Sequence, residues 1–256
     1  MTDFAARTGC ALVVGGSGGL GLAIVRMLAS RGSSVALTYR SRADAAQAAV
    51  DAARGWGVRA SAHQLDVTDP AACATAVSDV VAAYGGVHTL VHASGPHVPM
   101  KHLSAVTPDE LAAQLIEDSA GFFNVVHPCL PHLRVVEGSV VAVTTAATAR
   151  FPVRDGLSSA PKGAVEALVR GLAAEEGRYG VRVNAVGPGM LTDGMAARLI
   201  SSGELSDEAL AVARRNIPLR RFGTATDIAE AVCFLASDRA GFISGQKLDV
   251  DGGYSV

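Results

Sequence analysis

Residues 13–24 read VVGGSGGLGLAI. An apolar run stops at a cluster of glycines and resumes as a stretch with helical spacing. Glycines at such a junction let backbone amides approach a pyrophosphate at a helix N-terminus, where the helix dipole favours negative charge. Two registers fit, Gly15-x-x-x-Gly19-x-Gly21 and Gly16-x-Gly18-x-x-Gly21. An isolated glycine cluster also reads as a tight turn with no ligand. The strand before it and the helix after it favour a cofactor cradle built from Gly15, Ser17, Gly18, Gly19, Leu20 and Gly21.

Outward from this junction the chain alternates. Short apolar or β-branched runs at 10–15, 34–39, 88–93, 139–145, 181–186 and 247–252 predict strands. Alanine-rich stretches with helical spacing, such as 20–32, 44–57 and 108–130, lie between most of them. Continuous apolar strands separated by helices predict a parallel sheet buried on both faces, with ligands at the carboxyl ends of its strands. The expected fold class is α/β: a single Rossmann-like domain over 1–256, a doubly wound parallel sheet flanked by helices on both faces. Segment 188–225 breaks the rhythm, being long, glycine-rich and polar in places. Such an insertion reads as a substrate lid.

Composition narrows the function. With 256 residues the chain is long enough for a well-covered core. A net charge of −2 gives no reason to expect a nucleic-acid partner. No apolar run reaches membrane-spanning length, and MTDFAARTG has neither the basic nor the apolar region of a secretory signal. Cys10, Cys73, Cys129 and Cys233 stand far apart, as reduced structural thiols do. The seven histidines form no HExxH motif, so no metal is expected. A soluble cytoplasmic protein is expected.

The end of the second strand bears on the choice of dinucleotide. An NAD site places Asp or Glu there to bond the ribose 2′-hydroxyl. This chain has TYRSR (38–42), with Arg40, Ser41 and Arg42 and no acid. Cationic forks suit a 2′-phosphate, so NADP(H) is favoured over NAD(H). The alternative is a pair of solvated surface arginines.

Taken together these segments resemble the short-chain dehydrogenase/reductase family along essentially the whole chain. The glycine pattern is similar to its TGxxxGxG, with Val14 in the threonine place. LDVTD (65–69) resembles the adenine-contacting segment, which implies Asp66 and Val67. HASG (92–95) stands where NNAG is usual, implying Ala93, Ser94 and Gly95. NAVGPGMLTDGM (184–195) resembles the motif holding the nicotinamide amide, implying Pro188, Gly189 and Thr192. The ending SGQKLDVDGG (244–253) is also family-like. The resemblance further implies a homo-oligomer, tetramer or dimer, through roughly 108–133, 158–179 and 244–256.

The family's catalytic set is Asn, Ser, Tyr and Lys, with the last two spaced YxxxK. By position, Lys162 matches the lysine, Thr145 takes the serine place, Asp118 the asparagine place and Ser158 the tyrosine place. The usual phenol, of unperturbed pKa about 10, is drawn toward neutrality by the lysine. A serine hydroxyl donates a hydrogen bond but is a poor general acid. Losing that acid forfeits about 10²–10⁴ in rate, while orientation of hydride donor and acceptor survives. Locally, 158–184 resembles 2,4-dienoyl-CoA reductases, some of which lack the tyrosine, and there is local similarity to 3-oxoacyl-ACP reductases as well. In the peroxisomal dienoyl type an Asp takes the asparagine place, here Asp118, assisted by the Asp of DGG, here Asp251. The mitochondrial type uses a tyrosine where this chain has Ala147. A desolvated Asp118 would gain acidity in a useful range; a solvated helix carboxylate is its alternative. His97, in the loop after the fourth strand, is either a proton source or simply exposed. His92 reads as structural, and Asp155 as a residue of the variable turn RFPVRDG (150–156).

The reading is an NADP(H)-dependent reductase acting on a carbonyl or a conjugated enoyl or dienoyl group of a small-molecule or acyl-thioester substrate. The rival is a cofactor-binding sensor or inactive partner subunit.

Overall fold

A computed structural model describes residues 2–96, 98–192 and 207–256. Cys10–Val14 (β1), buried throughout, is followed by α1 (Gly19–Ser30), β2 (Val35–Tyr39), α2 (Ala43–Arg54), β3 (Ala60–Gln64), α3 (Pro70–Tyr84) and β4 (Val87–His92). The second half holds α4 (Pro108–Gln114), α5 (Gly121–Val135), β5 (Ser139–Val143), α6 (Gly156–Glu176), β6 (Arg182–Pro188), α7 (Asp207–Asn216), α8 (Ala225–Ala236) and β7 (Lys247–Val250). The seven strands pair in parallel in the order β3-β2-β1-β4-β5-β6-β7. The order reverses between β1 and β4, which is where doubly wound sheets open a ligand crevice.

Two cores sandwich the sheet. On one face Ile24, Val25 and Leu28 of α1 pack with Ile228 and Val232 of α8. On the other, Val77 and Val80 of α3 meet Phe122 and Val126 of α5 and Val165 and Val169 of α6. Asp69 caps α3 by accepting from the amides of Ala71 and Ala72, with Pro70 in the first turn, and Thr224 and Asp227 form a reciprocal capping box on α8. Arg182 donates to the carbonyls of Leu235, Ala236 and Ser237, fastening the end of α8 to β6. The four cysteines are separate, buried thiols, and burial pushes that of Cys73 up to about 11. Among the described residues no helix is long and apolar enough to cross a membrane.

The six expected strands are present, and a seventh joins them. β3 reads ASAHQ, has one buried residue and sits at the sheet edge; it lacks the β-branched signal that marks the others. The long helical stretch from 108 extends to Val135, and its turn over Leu115–Ala120 winds as a π-helix between α4 and α5. β6 runs on to Pro188, whereas β7 stops at Val250.

Two buried histidines tie stability to pH. Burial, then Arg7, pushes His88 down to about 4; burial, then Lys162, pushes His92 down to about 3. Both are neutral when folded, whereas in the unfolded chain each takes up a proton below its ordinary value of 6.5. Their contribution is therefore complete above pH 6.5 and lost as pH falls, at up to about 1.4 kcal/mol per pH unit for each. Urea midpoints should drop between pH 6.5 and pH 4.5. A midpoint flat across that range would show that these rings are not buried neutral.

Candidate functional site

The turn after β1 is held by backbone. The Gly18 amide donates to the Gly15 carbonyl at 3.0 Å and the Gly15 amide to Thr38 Oγ1 at 3.2 Å. A Cβ on Gly21 would stand 2.2 Å from the Gly15 oxygen, so only glycine lets α1 start this close. Gly15 has φ +78°, and a Cβ there would strike the backbone of Ser94. Gly18 is the N-cap of α1 and makes no side-chain capping bond; no acid occupies the first turn. The free amides of that turn, from Gly19 and Leu20 on, face outward with the positive end of the helix, a fit for phosphate.

A cleft of about 310 Å³ opens at this end of the sheet, lined by Gly15, Ser17, Gly18, Arg40, Ser41, Arg42, Val67, Ala93, Ser94 and Gly95, together with Tyr39, Glu117 and others. The fold thus gathers five separate sequence segments into one surface. Arg42 donates to the Ser17 carbonyl at 3.1 Å, bracing the glycine turn from the β2 side. Arg40 lies 3.5 Å from Glu117 of the π-helical turn and is otherwise largely exposed. Asp66 is exposed and does not itself line the cleft, although its neighbour Thr68 does; the amide and hydroxyl of Thr68 hold its carboxyl below the usual range. Thr145, Ser158, Pro188, Gly189 and Thr192 do not line this cleft. Pro188 ends β6, Gly189 packs against Asp251, and Thr192 bonds Gly223.

Lys162 reaches from α6 to Asp118. Its Nζ is 2.6 Å from Asp118 Oδ1, with side-chain exposures of 12 % and 2 %, and 3.5 Å from the Ser94 carbonyl. Asp118 is therefore neither a solvated helix carboxylate nor an isolated acid, but half of a buried ion pair. Gly95 borders the pair: a Cβ there would lie 3.4 Å from Lys162 Nζ. The π-helical turn carrying Asp118 is pinned to α6 by Ser119, whose hydroxyl donates to the Pro161 carbonyl at 3.0 Å. Ser158 is half-buried on the first turn of α6. Thr145 Oγ1 accepts from the Ala147 amide at 3.1 Å, which leaves its own O–H to donate.

Behind Thr145 lies a second charged cluster that the sequence reading missed. Lys247 donates to the Thr145 carbonyl at 3.1 Å and pairs with Asp249 at 3.0 Å and Glu166 at 3.4 Å. Thr148 bridges to Glu166 at 2.8 Å. Glu166 follows Lys162 by one helical turn, a spacing visible in the sequence; its union with β7 is tertiary. Glu117 was missed also, since nothing local joins it to Arg40.

The remaining candidates separate clearly. His92 is fully buried, edge-on to Phe122, with no hydrogen-bond partner for either ring nitrogen among the described residues, and is held neutral. Asp251 accepts from the amides of Gly253 and Ser255, which outweigh burial and keep its carboxyl below the usual range. It is occupied in the C-terminal turn. Among the described residues no tyrosine is a hydrogen-bond partner of Lys162. Tyr84 bonds Ser61 and the Val35 carbonyl, Tyr179 packs on Arg134, Tyr254 on Arg150, and Tyr39 lines the cleft. His97, and residues 193–206 of the 188–225 segment, lie outside the described residues.

Residues 15–255 match the family described as enoyl-(acyl carrier protein) reductase. The chain is 34 % identical over 253 residues to the 3-oxoacyl-[acyl-carrier-protein] reductase FabG of Staphylococcus epidermidis, covering 95 % of this chain and 97 % of that protein. Among solved structures it is similar to a short-chain dehydrogenase of Burkholderia cenocepacia in complex with NADP, with a TM-score of 0.88 and 33 % identity over 97 % of this chain and 98 % of that one. It is also similar to an NAD+-bound xylitol dehydrogenase, with a TM-score of 0.89 and 28 % identity over 96 % and 98 %. With this likeness running through the glycine turn, the seven-stranded parallel sheet and the lysine of α6, the chain belongs to the short-chain dehydrogenase/reductase family of oxidoreductases.

Proposed function

We propose that the chain reduces a carbonyl or a conjugated enoyl or dienoyl group of a small-molecule or acyl-thioester substrate, with NADP(H) favoured over NAD(H), and that it does so without the family's tyrosine. The observation that carries the cofactor preference is the cationic end of β2: Arg40, Ser41 and Arg42 line the cleft with no acid among them. The NADP complex of the Burkholderia relative supports it, and the acyl-carrier-protein reductase relative supports a thioester substrate.

When bound, the dinucleotide supplies the hydride. The chain's own groups bind, orient and protonate. The glycine turn would offer amides to the phosphates, and Arg40 and Arg42 would hold the 2′-phosphate. Arg40 must leave Glu117 to do so. Lys162, fixed by Asp118, holds a positive charge beside Ser94 and Gly95, where the reactive ring belongs in this reading. Thr145 donates to the substrate oxygen. Ser158 offers a hydroxyl one turn before Lys162 and is too weak an acid to act unaided. Segment 188–225 serves as the lid over a single-domain site, with Pro188, Gly189 and Thr192 at its base; Asp66 and Val67 take the adenine side. The setting we infer is cytoplasmic. We also infer a homo-oligomer, with α5, α6 and β7 at its interface. Supporting this, Phe123, Ala164, Ala167, Leu168 and Gly171 line an apolar groove on α5 and α6.

A second reading, an NADP(H)-binding sensor or inactive partner subunit, is favoured by the serine at 158. NADPH oxidation followed by absorbance across ketones, enoyl-thioesters and dienoyl-thioesters decides between them. Turnover on one panel is expected; binding without turnover on any of them selects the second reading. Asp118→Ala should lower the rate at least about tenfold by freeing Lys162 from its partner, and an unchanged rate would remove Asp118 from the machinery. Ser158→Tyr should raise carbonyl reduction.

Arg40→Ala should weaken NADPH binding about tenfold or more while sparing NADH, as loss of a charge-assisted bond worth about 1.5–3 kcal/mol requires, whereas Arg42→Ala, which also removes the brace on the glycine turn, should weaken both dinucleotides and NADPH the more. Equal losses for both dinucleotides in a titration would overturn the preference. Gly171→Glu should reduce the mass measured by light scattering; an unchanged mass would place the interface elsewhere.

A further inference from the structure

We propose that Glu117 is a specificity-determining residue: it holds Arg40 in an ion pair that NADPH must break and NADH leaves intact, and so restrains the preference for the phosphorylated dinucleotide. The inference rests on the cofactor reading above and adds the group that opposes it.

β2 ends without an acid, but the cleft has one. Glu117 lines the same cleft as Arg40, Ser41 and Arg42, and its Oε2 lies 3.5 Å from Arg40 Nη1. The two arginines are differently engaged. Arg42 donates to the Ser17 carbonyl at 3.1 Å and is thereby committed to the glycine turn. The Arg40 main chain is held, its carbonyl accepting from Gln64 Nε2 at 3.0 Å, while its guanidinium has Glu117 as ion-pair partner. The Thr68 amide and hydroxyl, and more weakly Arg40, hold the Asp66 carboxyl low, so Arg40 also lies in the field of a second carboxylate. Glu117 is the one in contact.

The turn that carries Glu117 is fixed in place. Its next residue, Asp118, is anchored on Lys162 at 2.6 Å, and the Ser119 hydroxyl donates to the Pro161 carbonyl at 3.0 Å. The main chain at 117 therefore stays at the cleft whichever dinucleotide arrives, and only side-chain torsions can separate the pair. A pair this exposed adds little to folding stability. Its consequence lies in what it does to a ligand.

Specificity is a difference of affinities, built as much from what a site opposes as from what it attracts. A 2′-phosphate needs the guanidinium fork of Arg40. To take it, the phosphate must displace the Glu117 carboxylate, so part of the new attraction offsets the one lost. NADH carries a hydroxyl at that position and has no claim on the arginine. The ion pair thus subtracts from NADPH binding alone, and most strongly at low ionic strength, where exposed charges are least screened.

The test is calorimetric titration of the full chain with NADPH and, separately, with NADH at low ionic strength. It compares wild type, Glu117→Gln, Glu117→Ala, Arg40→Ala and the double variant Arg40→Ala/Glu117→Ala. Each substitution at Glu117 should tighten NADPH about two- to fivefold, the range of an exposed ion pair, and leave NADH within about 1.5-fold. The alanine variant carries the result where the glutamine amide itself donates to the phosphate. In the Arg40→Ala background the gain for NADPH should fall below about 1.5-fold, the signature of an effect that runs through the arginine. With Arg40→Ala still losing NADPH selectively, three outcomes would each overturn the role of Glu117 and leave the cofactor reading standing: unchanged NADPH affinity in both Glu117 variants, an equal gain for both dinucleotides, or a full gain without Arg40. Equal loss of both dinucleotides in Arg40→Ala would instead overturn the cofactor preference, and this inference with it.

Discussion

Everything at the tips of this sheet depends on how closely the backbone is allowed to approach itself. The bare Cα of Gly21 lets α1 begin against the Gly15 carbonyl, and Gly15 in turn sits flush on Ser94 of the segment leaving β4. Ser94 presents its carbonyl to Lys162, and Gly95 borders the Lys162–Asp118 pair. Phosphate cradle and buried ammonium are therefore linked by a short run of contacts in which a methyl added at Gly15 or Gly21 would push the parts asunder. The distance between the cofactor's two ends is set by packing of main chain, which is stiffer than any loop of side chains.

Charge is then distributed on either side of that spine. In front, Asp118 compensates Lys162 in a place too dry for an unpaired ion. Behind, Lys247 joins the Thr145 carbonyl, Glu166 and Asp249, so the end of β5 is anchored from β7 and α6 together. Such clusters are poor sources of net stability, because desolvation consumes most of the attraction. They hold position well, since breaking one contact strands the others. Thr145 thereby keeps its hydroxyl in place with its backbone fastened on two sides.

The glycine turn, the strand rhythm and the lysine of α6 were legible in the sequence because each is a local pattern of period, spacing or backbone need. β3 was not, since ASAHQ has no apolar alternation and is a strand only because β2 offers it a partner. Asp118 and Lys162 were both found, but their union was not, because 44 residues separate them and only the fold brings them to 2.6 Å. Glu166 is intermediate, its spacing from Lys162 readable and its attachment to Lys247 not.

The π-helical turn over Leu115–Ala120 carries a consequence of its own. A π turn takes one residue more than an α turn, which offsets everything after it by about 100° around the axis. That offset lets Asp118 be buried while Leu115 and Ile116 on the same turn stay exposed, and lets Phe122 begin the buried face of α5. The segment should therefore accept many changes of residue identity but none of length. Shortening it by one would relax the winding, swing the carboxylate out of its pocket and leave the ammonium of α6 stranded, so this stretch is bound by residue number rather than by composition.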